Sequence, residues 1–267
     1  MRKTSLLMAV LLAGIAVLVS APPSDAAHPL ITDDTGTQGA GKAQLELNGE
    51  YGSDRETALG VETVERAIEA RVALSYGLTE TVDAVLGVPY LWVESAESDP
   101  SAPAFIHTRE KGLSDASVEV KWRFYESGGL NLGLKPGITV PTGNDRKGLG
   151  AGKYGYSAYF IATEVSDPWA FHLNFGYVRN NNRHDERENI CHLSFATEYR
   201  IKDPIRIVAN IGQERSPDRT IDRKAAFALA GVIYGITKDL DIDIGIKAGI
   251  NDPETDYTVL AGMAWRF

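Results

Sequence analysis

The stretch Tyr257-Thr-Val-Leu-Ala-Gly-Met-Ala-Trp-Arg-Phe267 decides how this chain is read. Tyr257, Val259, Ala261, Met263, Trp265 and Phe267 are apolar, and Thr258, Leu260, Gly262, Ala264 and Arg266 between them are mostly small or polar. A period of two marks a strand with one greasy face and one wetter face. A soluble protein has little reason to finish on a bare two-sided strand with an aromatic last residue. A bacterial outer-membrane barrel closes on such a strand, and Phe267 resembles the terminal signal read by the barrel-assembly machinery.

The other end agrees. Arg2 and Lys3 precede an apolar run from Leu6 to Val19, and small residues lead on to Ala26 and Ala27. That order is expected of a signal peptide over residues 1–26, cleaved near Ala26 or Ala27. The run is about 14 residues, short of the ~20 that span a bilayer as a helix.

Without residues 1–26 the chain keeps 25 basic and 35 acidic residues, a net charge of about −10. An acidic surface argues against nucleic-acid binding. Cys191 is the single cysteine, so neither an intrachain disulfide nor a cysteine metal cluster is expected, and no cofactor motif is visible.

Alternation of about nine or more residues, the length of a tilted membrane strand, recurs about twelve times between residues 42 and 267. The first strand is expected near Lys42 to Gly52 and the last is the terminal one. The sixth, near Tyr154 to Val165, is ambiguous in phase, and the tenth, Ala225 to Tyr234, is apolar on both faces. Short turns at Gly77–Glu80, Glu126–Gly129, Ser166–Pro168, Lys202–Pro204 and Gly235–Asp239 alternate with longer charged segments near 53–63, 93–112, 142–152, 180–188, 215–223 and 249–256. The expected fold is all-β: a transmembrane antiparallel up-and-down β-barrel with tight turns and both termini on the periplasmic side. Tyr76, Trp122, Trp169, Tyr199, Tyr234, Trp265 and Phe267 fall beside the short turns, as one interfacial girdle should. Tyr51, Tyr90, Trp92, Tyr154, Tyr156, Tyr177 and Tyr257 fall toward the long segments, as the other.

Several pieces in order resemble an outer-membrane transporter family named from the meta-cleavage pathway of phenol degradation, the MetA-type β-barrels. They are Ala27-His-Pro-Leu-Ile-Thr-Asp-Asp-Thr-Gly-Thr-Gln-Gly39, Gln44-Leu-Glu-Leu-Asn48, Tyr76-Gly-Leu-Thr79, Gly112-Leu-Ser-Asp115, Lys121-Trp-Arg-Phe124, Pro136-Gly-Ile-Thr-Val-Pro-Thr-Gly143 and Tyr234-Gly-Ile-Thr237. The resemblance implies an outer-membrane barrel that moves small, often aromatic, compounds. It supplies no catalytic or binding motif.

The charged residues of the strands are expected to face the lumen, because Arg or Lys facing lipid at midplane costs roughly 2–4 kcal/mol. Strand by strand they are Glu46 and Glu50; Glu69 and Arg71; Asp83; Glu119, Lys121 and Arg123; Lys135; Glu198 and Arg200; Arg206; Asp241, Asp243 and Lys247; and Arg266, expected near the Glu46–Glu50 face. His172 and His192 join them on neighbouring strands, with Ser194 nearby. Two imidazoles and a serine raise a lipid hydrolase or a metal pair as further readings, though a lipid hydrolase should present its groups to lipid. Polar lumen residues are the plainer reading.

Residues 27–41 are expected to be a periplasmic arm or plug: folded into the barrel, bound to a periplasmic partner, binding Ca²⁺ weakly through Asp33 and Asp34, or loosely docked, the ordinary expectation. The function expected is passive diffusion of small, aromatic or hydrophobic molecules. A non-conducting structural or adhesive barrel is the alternative, and a lipid hydrolase the third. Expected partners are outer-membrane lipid and lipopolysaccharide; Arg183-His-Asp-Glu-Arg-Glu188 is expected to be a solvated outer loop, with lipopolysaccharide contact there as the secondary reading. The assembly machinery, through Phe267, and a small solute complete the set.

Overall fold

The computed structural model describes residues 28–58, 61–98 and 105–267; the signal peptide expected over 1–26 lies outside them. The strands are β1 (Ala43–Ala58), β2 (Val61–Gly77), β3 (Val82–Ser98), β4 (Phe105–Leu113), β5 (Ala116–Ser127), β6 (Leu130–Val140), β7 (Gly155–Ser166), β8 (Trp169–Arg179), β9 (Asn189–Lys202), β10 (Ile205–Arg215), β11 (Lys224–Thr237), β12 (Leu240–Gly249) and β13 (Tyr257–Arg266). Each pairs antiparallel with its neighbours, and β1 pairs with β13, so the sheet closes on itself. Closure removes every edge in the wall and satisfies the backbone without water, which is what a bilayer demands.

The wall has twelve strands, because β4 and β5 are two lengths of one. The lower half of β3 pairs with β5 and its upper half with β4. The break falls at Ser114 and Asp115. Asp115 turns its carboxylate to the backbone N–H groups of Gly143 (2.8 Å) and Ala151 (2.7 Å), pinning the loop after β6 over the wall.

Two segments expected as loops are strand instead. Residues 53–58 and 61–63 continue β1 and β2, and 93–98 and 105–112 belong to β3 and β4. Their charge suggested loops, yet neither Ser53–Ala58 nor Leu91–Ser98 contains Gly or Pro. A strand that rises past the hydrocarbon needs polar residues on both faces, so polarity there does not mean irregular backbone. The connections that stay irregular, near 141–154, 180–188, 216–223 and 250–256, lie at the same end as these hairpin tips.

Alternation sorts the side chains. Ile211, Phe175, Ile244 and Ile246 point outward and are exposed, forming an apolar belt. The girdle beside the short turns also points outward: Tyr76, Trp122, Trp169, Tyr234, Trp265 and Phe267 are exposed, and Tyr199 packs on Trp169 with ring centres 4.6 Å apart. The two strands of uncertain phase resolve. Ile161 and Thr163 of β7, and Phe227, Leu229 and Ile233 of β11, face inward and are buried.

Candidate functional site

The lumen is occupied by the chain's own N-terminal segment. Residues 28–38 run through it, and their backbone is satisfied by wall side chains. Asn210 of β10 accepts from the N–H groups of Ile31 (2.8 Å) and Thr32 (3.0 Å) through Oδ1 and donates from Nδ2 to Thr32 Oγ1 (2.7 Å). Asn174 of β8 accepts from Asp33 N–H at 2.8 Å and donates to Asp33 O at 2.7 Å. Thr163 of β7 accepts from Thr35 N–H (3.2 Å), and the Asp83 carboxylate of β3 accepts from Gln38 N–H (2.9 Å). An extended segment away from water needs such partners, because an unmet buried N–H costs about 1–3 kcal/mol. This is firm anchoring, not the loose docking expected.

Side chains hold the segment as well. Lys121 of β5 donates to Asp33 (2.8 Å) and Asp34 (3.3 Å), and Lys135 of β6 donates to Asp33 (2.6 Å). Burial pushes the Asp33 carboxyl up, but the charges and hydrogen bonds of Lys121 and Lys135 outweigh it and hold it well below the usual carboxylate range. His28 Nδ1 lies 2.6 Å from Asp243. Pro29 enters a slot that glycine makes: a Cβ on Gly231 or Gly245 would come within 2.6 or 2.8 Å of its ring. Leu30 packs on a buried cluster of Phe227, Leu229 and Leu260. The lumen thus has an apolar side on β11 and β13 and a charged side on β1–β3, β5 and β6.

The sequence-expected charges divide into groups. Glu198 meets Arg206 (3.3 Å), Arg206 meets Asp241 (2.8 Å), and Arg266 also meets Asp241 (3.0 Å). Arg266, expected near the Glu46–Glu50 face, stands opposite Gln44 of β1, one inward position from Glu46, and its guanidinium reaches across β13–β12 to Asp241. Glu119 lies 3.7 Å from Lys135, Arg123 pairs with Glu126 (3.2 Å), and Lys247 with Glu254 (2.6 Å). Arg200 leaves the interior: it bonds Asp167 (3.1 Å) at the short-turn rim, because it stands at the end of β9. Glu46 is hydrogen-bonded by Gln44 (2.8 Å), and Arg71 donates to Ser117 (3.2 Å).

A cavity of about 320 Å³ lies between the segment and the charged wall, with Glu46, Glu50, Glu69, Arg71 and Glu119 on one side and Leu30, Ile31 and Leu260 on the other. A second, of about 420 Å³, opens toward the short-turn rim beside Thr35, Lys42, Glu80 and Arg123. Both are lined by Gly36 and Gln38, so this part of the arm stands between them.

The two histidines do not come together. His172 stands opposite Ala196, four residues along β9 from His192, about 13 Å at strand rise. Among the described residues no group of His, Cys, Asp or Glu is arranged to hold a metal. His172 meets Thr163 (3.0 Å). His192 bridges Ser194 (2.8 Å) and Glu214 (3.1 Å), the order of a nucleophile, base and acid. Ser194 is only 2 % exposed, and the arm's Thr32 donates to its Oγ at 2.7 Å, so the docked arm covers it.

Asn174, Asn210 and Thr163 were not singled out from sequence. Their signal is faint: an amide or hydroxyl at an inward mid-strand position, where Asn is otherwise depleted.

The fold has relatives among solved structures. A COG4313 outer membrane channel from Pseudomonas putida F1 superposes with a TM-score of 0.66 at 13 % identity, covering 88 % of this chain and 98 % of that one. The KdgM porin gives 0.55 at 9 %, covering 84 % and 99 %, and the NanC porin 0.51 at 12 %, covering 83 % and 98 %. At these identities the likeness is one of fold, the fold of outer-membrane barrels. No curated protein matches the chain. The sequence itself is matched over residues 32–267 by one family model, and the chain belongs to that family, described as "Putative MetA-pathway of phenol degradation".

Proposed function

We propose that the protein is an outer-membrane channel through which small molecules, aromatic and hydrophobic ones included, diffuse passively, and that it is not an enzyme. The observation that carries this reading is the pair of cavities divided by Gly36 and Gln38. Barrels of eight strands are generally filled by their own side chains, and those of sixteen to eighteen leave a channel. Here the space is held by an arm of the chain, which can yield where wall side chains cannot. The apolar side formed by Leu30 and Leu260, facing Glu46 and Arg71, gives a solute both a greasy and a wet surface. No energy-coupling motif accompanies it, so transport would run downhill. Ala43 and Phe267 are hydrogen-bonded at the short-turn end, and we place that end in the periplasm, where Phe267 would meet the assembly machinery.

The test is single-channel conductance in planar bilayers, together with uptake of aromatic and charged solutes by liposomes carrying the folded protein. Conductance with uptake is expected. Silence in both assays from heat-modifiable, folded protein would overturn the reading in favour of a structural barrel.

A further inference from the structure

We infer that the outward face of the β1–β4 hairpins is a docking surface for the phosphorylated headgroup of a lipid in the leaflet at the long-loop end; the inference rests on the barrel's sitting in a bilayer. The register sets the residues in rows across the sheet. Tyr51, Ile68, Trp92 and Lys111 form one row. The next row outward is Ser53, Arg66, Glu94 and Arg109. All of these but Ser53 line a groove of about 430 Å³ on the outside of the wall. It is greasy at its lower edge, where Tyr51, Ile68 and Trp92 continue the apolar belt, and basic above.

Charge is sorted by face on these hairpins. Outward positions in the aromatic row and beyond it carry Arg55, Arg66, Arg109 and Lys111 against Glu62 and Glu94. Inward positions carry Asp54, Glu56, Glu65, Glu97 and Glu110, with no basic residue among the described ones. In an acidic chain, a basic face turned away from the lumen does not serve the passage. Glu94 holds His107 (2.6 Å) and Arg109 (3.2 Å) and so orders one edge of the groove. Arg66 stands opposite Glu94 in register, but the Glu94 carboxylate is taken by His107 and Arg109.

Trp and Tyr prefer the headgroup level, which places Trp92 and Tyr51 at the boundary and the basic row just above it. A lipid lying along the belt would bring its acyl chains past Ile68 and its phosphate between Arg66, Arg109 and Lys111. Guanidinium groups bind phosphate oxygens through paired charge-assisted hydrogen bonds, and lysine adds a point charge. The lipopolysaccharide contact expected at residues 183–188 moves, on this reading, to the opposite part of the rim.

The test uses the full-length mature protein in neutral detergent and bisphosphorylated lipid A as the probe, with retention read by native mass spectrometry. The wild type is expected to retain lipid A and to release dephosphorylated lipid A. The Arg66→Gln, Arg109→Gln, Lys111→Gln triple variant is expected to lose retention by about tenfold or more, with Lys224→Gln on the far side of the ring unchanged. Equal retention by wild type and triple variant would overturn the proposal, as would equal retention of the dephosphorylated lipid. Displacement of lipid A by an equimolar amount of inorganic phosphate would overturn the lipid as occupant. If the triple variant does not fold, salt decides on wild type alone: retention should fall by about tenfold or more from about 50 to about 500 mM NaCl, and no change overturns the proposal. Conductance of the same preparation reports on the channel separately.

Discussion

Asp33 Oδ2 and Lys135 Nζ lie 2.6 Å apart, although 102 residues separate them in sequence. This contact and the one to Lys121 tie the arm to the charged side of the lumen. In Asp33→Ala each lysine keeps one weaker partner: Asp34 at 3.3 Å for Lys121 and Glu119 at 3.7 Å for Lys135. Docking should weaken by about 1.5–3 kcal/mol, the worth of hydrogen bonds to charged groups. Single-channel recordings should then show frequent transitions to a higher-conductance level, while the barrel's heat-modifiable gel shift persists. Traces identical to wild type would mean that the arm does not limit the passage.

The same carboxylate sets an acid limit. Asp33 is held well below the usual carboxylate range in the folded protein, whereas in an unfolded chain it titrates near pH ~3.9. Its stabilising contribution is therefore fully present above the unfolded value and is lost as the pH falls through the lower, folded one. Mean conductance of the wild type should stay flat from about pH 7 to about pH 4 and rise only in stronger acid. Asp33→Asn should abolish that acid step. A wild-type rise centred near pH ~6 would show that Asp33 is not the group that controls the arm.

Pro29 offers a way to move the arm from the opposite wall. A Cβ on Gly245 would lie 2.8 Å from Pro29 Cβ and 2.9 Å from its Cγ, while the nearest backbone atom of the wall is 3.4 Å away. Gly245→Ala should therefore push on the arm and spare the strand pairing, at an overpacking cost of about 1–3 kcal/mol. Gly49→Ala is the control, since its Cβ would meet only Ala261 O at 3.7 Å. Higher conductance in the first and none in the second is the expected result, with both proteins inserting normally.

The wall was legible because lipid on one face and polar groups on the other impose a period of two, as in β1, β8, β12 and β13. It failed in phase where the inner face is also apolar. Ile161, Phe227, Leu229 and Ile233 are inward yet greasy, and the last strand's Leu260 joins Phe227 and Leu229 around Leu30 of the arm rather than water. A residue that packs on another segment inside a barrel looks the same in sequence as one facing lipid. The hairpin tips were missed for the converse reason, polar residues on both faces. The arm's anchors were least legible. Asn174, Asn210 and Thr163 are single residues on three strands, brought together only by closure of the ring.

The outward face makes a depth-dependent prediction on one strand. Ile244 lies in the middle of β12, between Val232 and Ala261 in register, and is 59 % exposed. Ile250 points the same way just past the end of β12 and is 63 % exposed. Equal exposure would make an arginine equally harmless at both sites in water. In a bilayer the midplane charge costs about 2–4 kcal/mol and one near the interface about 0–1 kcal/mol. Ile244→Arg should therefore lower the urea midpoint of the protein folded in lipid vesicles well below that of Ile250→Arg, which should stay close to wild type. Equal midpoints for the two variants would mean that the belt of Ile211, Ile244 and Ile246 is not what meets the hydrocarbon.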